Sequence, residues 1–202
     1  LMSAGGTVSI NPHLYSKMPF DPVKDLIPVA AAARVLVYLE VNPAKVPANN
    51  AREFVDYLRK NPGKLTFGSV GSGSAAHLVA ELLGTSAGIK MTHVPYKGSA
   101  PAMIDLLGGR IDLIFDYSIV VKPQIEAGKL RPLGSTGAVR LTSHPDVPTM
   151  IELGFPGVQL TAWAMIVGPA NMPQPVVDKM AKAFNEALKD PAVIKYHDDQ
   201  GV

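Results

Sequence analysis

Between Leu65 and Gly128 the chain alternates three times between a short apolar run, a loop of small residues and a longer segment whose apolar positions have helical spacing. The first unit ends at Gly84, the second begins at Met91 and the third begins at Ile111. Strands that alternate with helices at this spacing are typical of parallel β-α-β units. The pattern therefore predicts an α/β fold, with ligands bound beyond the carboxyl ends of the parallel strands, where the loops converge.

Longer apolar segments flank this block on both sides. Pro28–Val41 predicts a strand long enough to cross between two domains. Leu130–Thr136 predicts a second crossing strand, because Pro132 suits an edge or crossover position better than a central one. Two crossings around a compact block predict two lobes joined by two hinges. Further elements are expected over Ala48–Lys60 (helix), Leu160–Val167 (strand), about Gln174–Lys189 (helix) and from Asp190 onward (helix).

The Gly68–Ser74 loop carries the strongest candidate chemistry of the chain. Its glycines permit left-handed backbone angles, so that successive N–H groups can face one hollow. Ser72 or Ser74 can cap the helix that follows, and the start of that helix adds free N–H groups with partial positive charge. We expect this loop to bind a small anion. The candidate ligand residues are Ser69, Gly71, Ser72, Gly73 and Ser74.

The order of glycines in this loop argues against several catalytic motifs. G-x-x-G-x-G is neither the dinucleotide fingerprint nor the phosphate loop, and no serine lies in G-x-S-x-G. We therefore predict binding without catalysis, with no catalytic residue and no cofactor. One enzymatic alternative remains, a hydrolase that uses a loop serine with His77 and Asp116. It would require a base within reach of the nucleophile and a third group that orients the base.

Two other loops follow predicted strand ends and are expected to contact the same ligand. Ser3–Thr7 is rich in small residues, like the first loop, and the loop after the strand at Met91–Val94 carries a tyrosine and a lysine. The candidate contacts from these two loops are Ser3, Gly5, Thr7, Tyr96 and Lys97.

Asp116 is an unusual neighbour for an anion site. Its structural role would be to cap the helix that follows, where the helix dipole favours a carboxylate. Its functional role would be to accept a hydrogen bond from a ligand hydroxyl, an amino group, a protonated acid or an ordered water. The two roles are compatible.

Composition narrows the classes of function. The net charge is +2, aromatic residues make up 6% and no Lys/Arg block is present, which argues against nucleic acid as the main partner. An effector domain of a transcription regulator stays open as an alternative, although no basic recognition helix is evident. The absence of cysteine is compatible with any compartment and suits a secreted or periplasmic protein. The histidines lack metal-ligand spacing, so no metal site is expected.

The chain resembles the TctC or Bug-type extracytoplasmic solute receptors of tripartite tricarboxylate transporters. The matching segments cover most of the sequence in the right order. They are NPHLY from Asn11, NPGKLTFGSVGSGSAAHL from Asn61, HVPYKGSAPAMIDLLGGRIDLIFD from His93, AGKLRPLGSTG from Ala127, HPDVPTMIELGFPG from His144 and the Trp163 strand that leads to Gly168-Pro169-Ala170.

This resemblance implies a two-lobed periplasmic-binding-protein fold, a Venus flytrap of two α/β lobes that close over a small carboxylate. It places residues 1–41 and 131–202 in the first lobe and residues 42–130 in the second. It also implies that the first lobe is incomplete, because the family's first βα elements and its C-terminal portion are not in the sequence. The family usually has Asn after the aspartate that matches Asp116, where this chain has Tyr117.

The same resemblance implies a di- or tricarboxylate ligand, a membrane permease as partner, periplasmic localisation and a monomer at full length.

Overall fold

The computed structural model describes residues 1–200, which form two compact units. Unit 1 consists of Leu1–Val35 and Ala162–Gln200, and unit 2 is the continuous segment Leu36–Thr161. Gly201 and Val202, which the sequence analysis assigned to the first lobe, lie outside the described residues.

The sheet of unit 2 combines parallel and antiparallel strands. Strand β3 (Thr66–Ser69) runs parallel to β4 (Thr92–Pro95) on one side and to β5 (Leu113–Tyr117) on the other. Strand β2 (Leu26–Val41) pairs antiparallel with β5 and with β6 (Arg131–Ser135). The predicted parallel β-α-β units are therefore confirmed, and they meet an antiparallel pair at β2.

Four helices of unit 2 connect or flank these strands. Their bounds are α2 Ala51–Lys60, α3 Ala75–Ala87, α4 Ser99–Leu107 and α5 Ser118–Glu126. Helix α2 begins three residues later than the predicted Ala48, because Asn50 caps it and its side chain accepts a hydrogen bond from the Glu53 N–H at 2.9 Å. In return, a Glu53 carboxylate oxygen accepts the Asn49 N–H at 2.9 Å, and the two bonds satisfy donors that the helix start leaves free.

The core of unit 2 lies between the sheet and its helices. Ile114 of β5, Tyr38 of β2 and Leu106 of α4 are completely buried and pack in one cluster. Each such side chain contributes about 1.5–3 kcal/mol relative to an exposed one, so this cluster fixes α4 against the sheet.

Unit 1 is built from segments at both ends of the chain. Strand β1 (Met2–Ala4) pairs antiparallel with β7 (Thr161–Pro169), which also borders β2. Val29 of β2, Ile166 of β7 and Val177 of α6 form its buried core. The remaining elements are a π-helical turn at Gly6–Ile10 and the helices α1 Asn11–Leu14, α6 Gln174–Ala187 and α7 Pro191–Gln200.

The predicted second crossing strand is wrong in one respect. Strand β6 does not leave unit 2, because it is hydrogen-bonded to the part of β2 that belongs to this unit, with Tyr38 opposite Ser135. Its register shifts between Leu39 and Glu40, and Pro132 lies at this bulge on an edge strand, where a missing N–H is tolerated. Residues 131–161 thus pack in unit 2 rather than in the predicted first lobe, and the chain crosses to unit 1 at the beginning of β7.

Candidate functional site

The candidate site of unit 2 lies at the carboxyl ends of its three parallel strands. The loop after β3 contains Gly71–Ser74, the loop after β4 contains Tyr96 and Lys97, and β5 ends beside Asp116. The parallel register aligns Ser69 with Pro95, so the first two loops begin at the same edge of the sheet. The structure therefore brings together the candidate residues that the sequence analysis took from these three loops.

The glycines of the first loop have the backbone conformations that this turn requires. Gly71 has φ 127° and Gly73 has φ 80°, which is a region that other residues rarely adopt. Ser74 is extended and its hydroxyl accepts the His77 N–H at 3.2 Å, so Ser74 is the cap of α3. This settles the choice between Ser72 and Ser74 that the sequence left open.

Some hydrogen-bond donors of this loop have an acceptor within the protein and others do not. The Gly71 N–H donates to the Ser69 hydroxyl oxygen, and the Gly73 N–H donates to Nδ1 of His77, each at 3.2 Å. Within residues 1–200, no acceptor is found for the N–H groups of Ser72, Ala75 and Ala76 or for the exposed Ser72 hydroxyl. The available donors therefore lie at Ser72 and at the first turn of the 13-residue helix α3.

Ser69 is engaged inside the protein. It is completely buried, and its hydroxyl lies 2.6 Å from Nε2 of His93 and 3.1 Å from the carbonyl oxygen of Gly71. The expected direct contact between the Ser69 hydroxyl and a ligand is thus not offered by this conformation. This partner of Ser69 could not be inferred from the sequence, although His93 lies in the strand next to β3, opposite Phe67.

Tyr96 and Lys97 differ in their surroundings. The Tyr96 hydroxyl donates to Asp105 at 2.8 Å, and Asp105 in turn pairs with Arg110 at 2.7 Å. Loss of hydration, followed by the hydrogen bond to Asp105, raises the pKa of Tyr96. Lys97 is exposed, and no ion pair to it is found in the described part of the chain. Lys97 is thus the free cation of this loop.

Asp116 connects β5 to helix α4. It is completely buried, and its Oδ1 accepts the Ser99 hydroxyl at 2.9 Å and the Tyr117 N–H at 2.8 Å. Burial raises the pKa of Asp116, against the lowering effect of these two bonds. The cap position of α4 is Gly98, and the hydroxyl of Ser99, the first residue of the helix, donates to Asp116. The Asp116 side chain does not cap α5, which begins without a side-chain cap.

Glu40 is a buried acid that the sequence analysis missed. Both of its carboxyl oxygens are buried without a hydrogen-bond partner among the described residues, as is Oδ2 of Asp116. Burial raises the pKa of Glu40 well above its ordinary value, and the nearby Asp116 carboxylate raises it further. The available signal was a glutamate within the apolar run Val35–Val41 of β2.

The three candidates near the N-terminus lie in unit 1. Ser3 is buried within β1 opposite Met165, so the predicted loop begins later than expected, because pairing with β7 continues to Ala4. A Cβ on Gly5 would lie 2.6 Å from the Trp163 indole, which shows a packing requirement for glycine there. Thr7 lies in the π-helical turn.

The hydrolytic alternative lacks the arrangement it needs. Nδ1 of His77 is occupied by the Gly73 N–H, and the hydrogen bonds of Asp116 go to Ser99 and Tyr117. Ser69 does contact a histidine, but the hydrogen bonds of the described residues show no acid that orients His93. Among residues 1–200, no group of three or more histidine, aspartate or glutamate side chains could hold a metal ion. No helix in this range is long and apolar enough to cross a membrane.

Comparison with protein families gives a match over the whole chain. The model of the tripartite tricarboxylate transporter family receptor, TctC, matches residues 1–202. A curated relative from Pseudomonas sp. strain P51, a UPF0065 protein in the tcbD-tcbE intergenic region, is 34% identical over 196 residues. The match covers 96% of this chain and 58% of the relative, so the chain spans less than two thirds of that protein's length.

Solved structures agree with this match. A protein of R. palustris solved with adipate is 33% identical, with a TM-score of 0.95 over 99% of this chain and 67% of that one. The periplasmic binding protein BugD is 32% identical, with a TM-score of 0.92 over 100% of this chain and 67% of its own. These comparisons confirm the predicted α/β fold of the periplasmic-binding-protein type, and the matched proteins are solute-binding proteins rather than enzymes.

Proposed function

Because the chain belongs to the tripartite tricarboxylate transporter receptor family, we propose that it is an extracytoplasmic solute-binding protein for a small organic di- or tricarboxylate. It captures the acid without chemical change and presents it to the membrane permease of a tripartite transporter. Periplasmic localisation and a monomeric full-length protein are part of the same proposal. The adipate bound to the R. palustris neighbour supports this class of ligand.

The observation that carries the proposal is the set of free donors at the Gly68–Ser74 loop. The Ser72 hydroxyl and the N–H groups of Ser72, Ala75 and Ala76 find no acceptor within residues 1–200. They lie at the N-terminus of α3, where unpaired N–H groups and the helix dipole favour an anion. A carboxylate oxygen is an acceptor only, so it can satisfy several of these donors at once.

This grip needs no arginine. Hydrogen bonds to a charged group contribute about 1.5–3 kcal/mol each, so two or three neutral donors together contribute about 3–9 kcal/mol toward holding a carboxylate. Lys97 is exposed at the adjacent loop and contributes a further positive charge to this edge of the sheet. We also keep Ser3, Gly5 and Thr7 as predicted ligand contacts.

Asp116 and Ser69 have an indirect role in this proposal. Both are buried and bound to other protein groups, so they shape the loops that face the ligand. The direct donors are therefore Ser72 and the start of α3, together with Lys97 from the next loop. Tyr96 stays a predicted contact, although its hydroxyl donates to Asp105.

A ligand screen tests the proposal. Thermal-shift and calorimetric titrations of the full-length protein would compare succinate, adipate and citrate with hexane-1,6-diol, which has the chain length of adipate without its carboxylates. We expect binding of at least one acid and none of the diol. Ser72→Ala would then reduce the affinity for the bound acid, whereas Ser86→Ala, an exposed serine on the same helix, would not. Equal response to the acids and the diol would contradict a carboxylate receptor.

A further inference from the structure

Two imidazole rings are stacked beneath the Gly68–Ser74 loop. The centroids of His77 on α3 and His93 on β4 lie 4.1 Å apart, with 14° between the ring planes. Phe67 of β3 extends the stack, with its centroid 4.7 Å from that of His93. Side chains from three consecutive elements of unit 2 therefore form one column of aromatic rings.

Each ring of this histidine pair holds a different end of the loop. His93 meets the end of β3, where its Nε2 lies 2.6 Å from the Ser69 hydroxyl, and that hydroxyl accepts the Gly71 N–H at 3.2 Å. His77 meets the start of α3, where its Nδ1 accepts the Gly73 N–H at 3.2 Å. The free donors of the loop lie between and beside these two anchors.

The anchor at His77 requires an uncharged ring. A backbone N–H can donate to Nδ1 only while that nitrogen carries no proton, since a protonated Nδ1 would place one donor against another. A charge on either ring also opposes a charge on its stacked neighbour. The pKa of His93 is accordingly lowered to about 4, first by burial and then by His77.

Few charged groups reach this column of rings. On α3, the Glu81 carboxylate lies 3.9 Å from Nε2 of His77, and its side chain is exposed. On β4, the group that faces His77 is His93, and β3 contributes only the uncharged ring of Phe67. Among the described residues, the titratable groups that lie against His77 are therefore Glu81 and His93.

We propose that His77 and His93 are positioning residues, which hold the Gly68–Ser74 loop in the shape that presents its free donors, and that a proton on His77 releases the Gly73 end of the loop. The value of this positioning for ligand capture rests on the function proposed above. The consequence is that acidification weakens anion binding, although a cation near the loop would by itself attract the anion.

Three variants distinguish the effect of the Gly73–His77 hydrogen bond from the effect of ring stacking. His77→Asn keeps an acceptor near the position of Nδ1 and cannot take a proton, whereas His77→Phe keeps a flat ring for stacking and has no acceptor. Glu81→Gln is the matched control for the neighbouring charge. The first readout needs no ligand, since amide hydrogen-exchange protection at Gly73 would be followed by NMR from about pH 8 to about pH 5. The second is the affinity for succinate over the same range.

We expect the Gly73 amide to lose protection on acidification in the parent protein and in Glu81→Gln, to keep it in His77→Asn and to lack it throughout in His77→Phe. Loss of one neutral hydrogen bond corresponds to a decrease of about tenfold in protection and in affinity. Equal protection in all four proteins would overturn the proposal, as would tighter succinate binding at low pH that disappears in His77→Asn. The expected protection pattern without any succinate binding would leave the positioning role intact and contradict only the proposed ligand class.

Discussion

Glu40 and Asp116 are two completely buried acids on the same face of the antiparallel β2–β5 pair. Asp116 lies opposite Tyr38, and Glu40 lies two residues further along β2, opposite Ile114. Since side chains two residues apart point to the same face of a strand, both carboxyls enter the core under α4. Asp116 is bound to Ser99 and Tyr117, whereas Glu40 has no such donor among the described residues, and burial raises the pKa of Glu40 well above its ordinary value.

Glu40→Gln is expected to be more stable than the parent protein, by a margin that grows as the pH rises. Burial raises the pKa of Glu40 in the folded state, so the folded chain keeps a proton that the unfolded chain loses above the ordinary glutamate pKa. The contribution of Glu40 is therefore complete below that ordinary value and is lost as the pH rises toward the folded-state pKa. Glu40→Gln removes this loss, at up to about 1.4 kcal/mol for each pH unit.

Urea unfolding of both proteins from about pH 5 to about pH 8 measures the difference. The raised pKa of Asp116 acts in the same direction but is present in both proteins. Glu81→Gln, at an exposed position of α3, is the control for removal of a carboxyl group. A stability difference that stays constant with pH would show that Glu40 is ionised in the folded state.

Ser72→Ala and Ser74→Ala are expected to affect different properties, the first carboxylate binding and the second the stability of the fold. Ser72 is exposed and its hydroxyl has no hydrogen bond to a described residue, so its loss should leave stability unchanged and weaken carboxylate binding by about tenfold to a hundredfold. Ser74 caps α3, so its replacement should cost about 0.5–2 kcal/mol of stability. Chemical unfolding together with calorimetry checks both, and unchanged affinity in both variants would exclude the loop as the binding site.

Ser99→Ala is expected to destabilise unit 2 and to raise the pKa of Asp116 further. The Ser99 hydroxyl donates to Oδ1 of this buried carboxylate, and that bond lowers the pKa. Its removal should cost about 1.5–3 kcal/mol where Asp116 is ionised and less at acidic pH. Unfolding free energies at two pH values give the test, with the exposed Ser86→Ala as control. An equal loss at both pH values would mean that the bond does not depend on the charge.

Gly5→Ala is expected to destabilise unit 1 through Trp163. The added Cβ would lie 2.6 Å from Cε2 of the indole, so the ring must move. Overpacking of this kind typically costs about 1–3 kcal/mol. In a Trp163→Leu background the same substitution should cost much less, which a double-mutant cycle of thermal stability would reveal. Additive effects would show that Trp163 does not impose the glycine.

The sequence predicted the elements of unit 2 well because their signals are local. Alternating apolar runs and glycine-ended helices between Leu65 and Gly128 correspond to β3 to α5. The position of β6 could not be predicted from local signals. Whether Pro132 belongs to a crossing strand or to an edge strand depends on its pairing with β2, which is distant in sequence.

In the candidate site, too, local features could be predicted from the sequence and contacts between distant residues could not. Loop positions such as Ser72 and Gly73 could be found from residue types, because a cluster of serine and glycine between a strand and a helix is typical of an anion-binding helix start. The partners of buried side chains could not be found in this way. Ser69 contacts His93 in the neighbouring strand, and Ser99 at the start of a helix contacts Asp116 at the end of a strand. Periodicity places such residues on elements but does not tell which hydroxyl faces which acceptor.

The division of the chain also sets an order in time for its folding. Unit 2 is one uninterrupted run, so its sheet and helices can assemble as soon as residue 161 has been synthesised. Unit 1 has to wait, because Ser3 of β1 pairs with Met165 of β7. Strand β1 thus precedes unit 2 in the chain but can pair with β7 only after the whole of unit 2 has been synthesised.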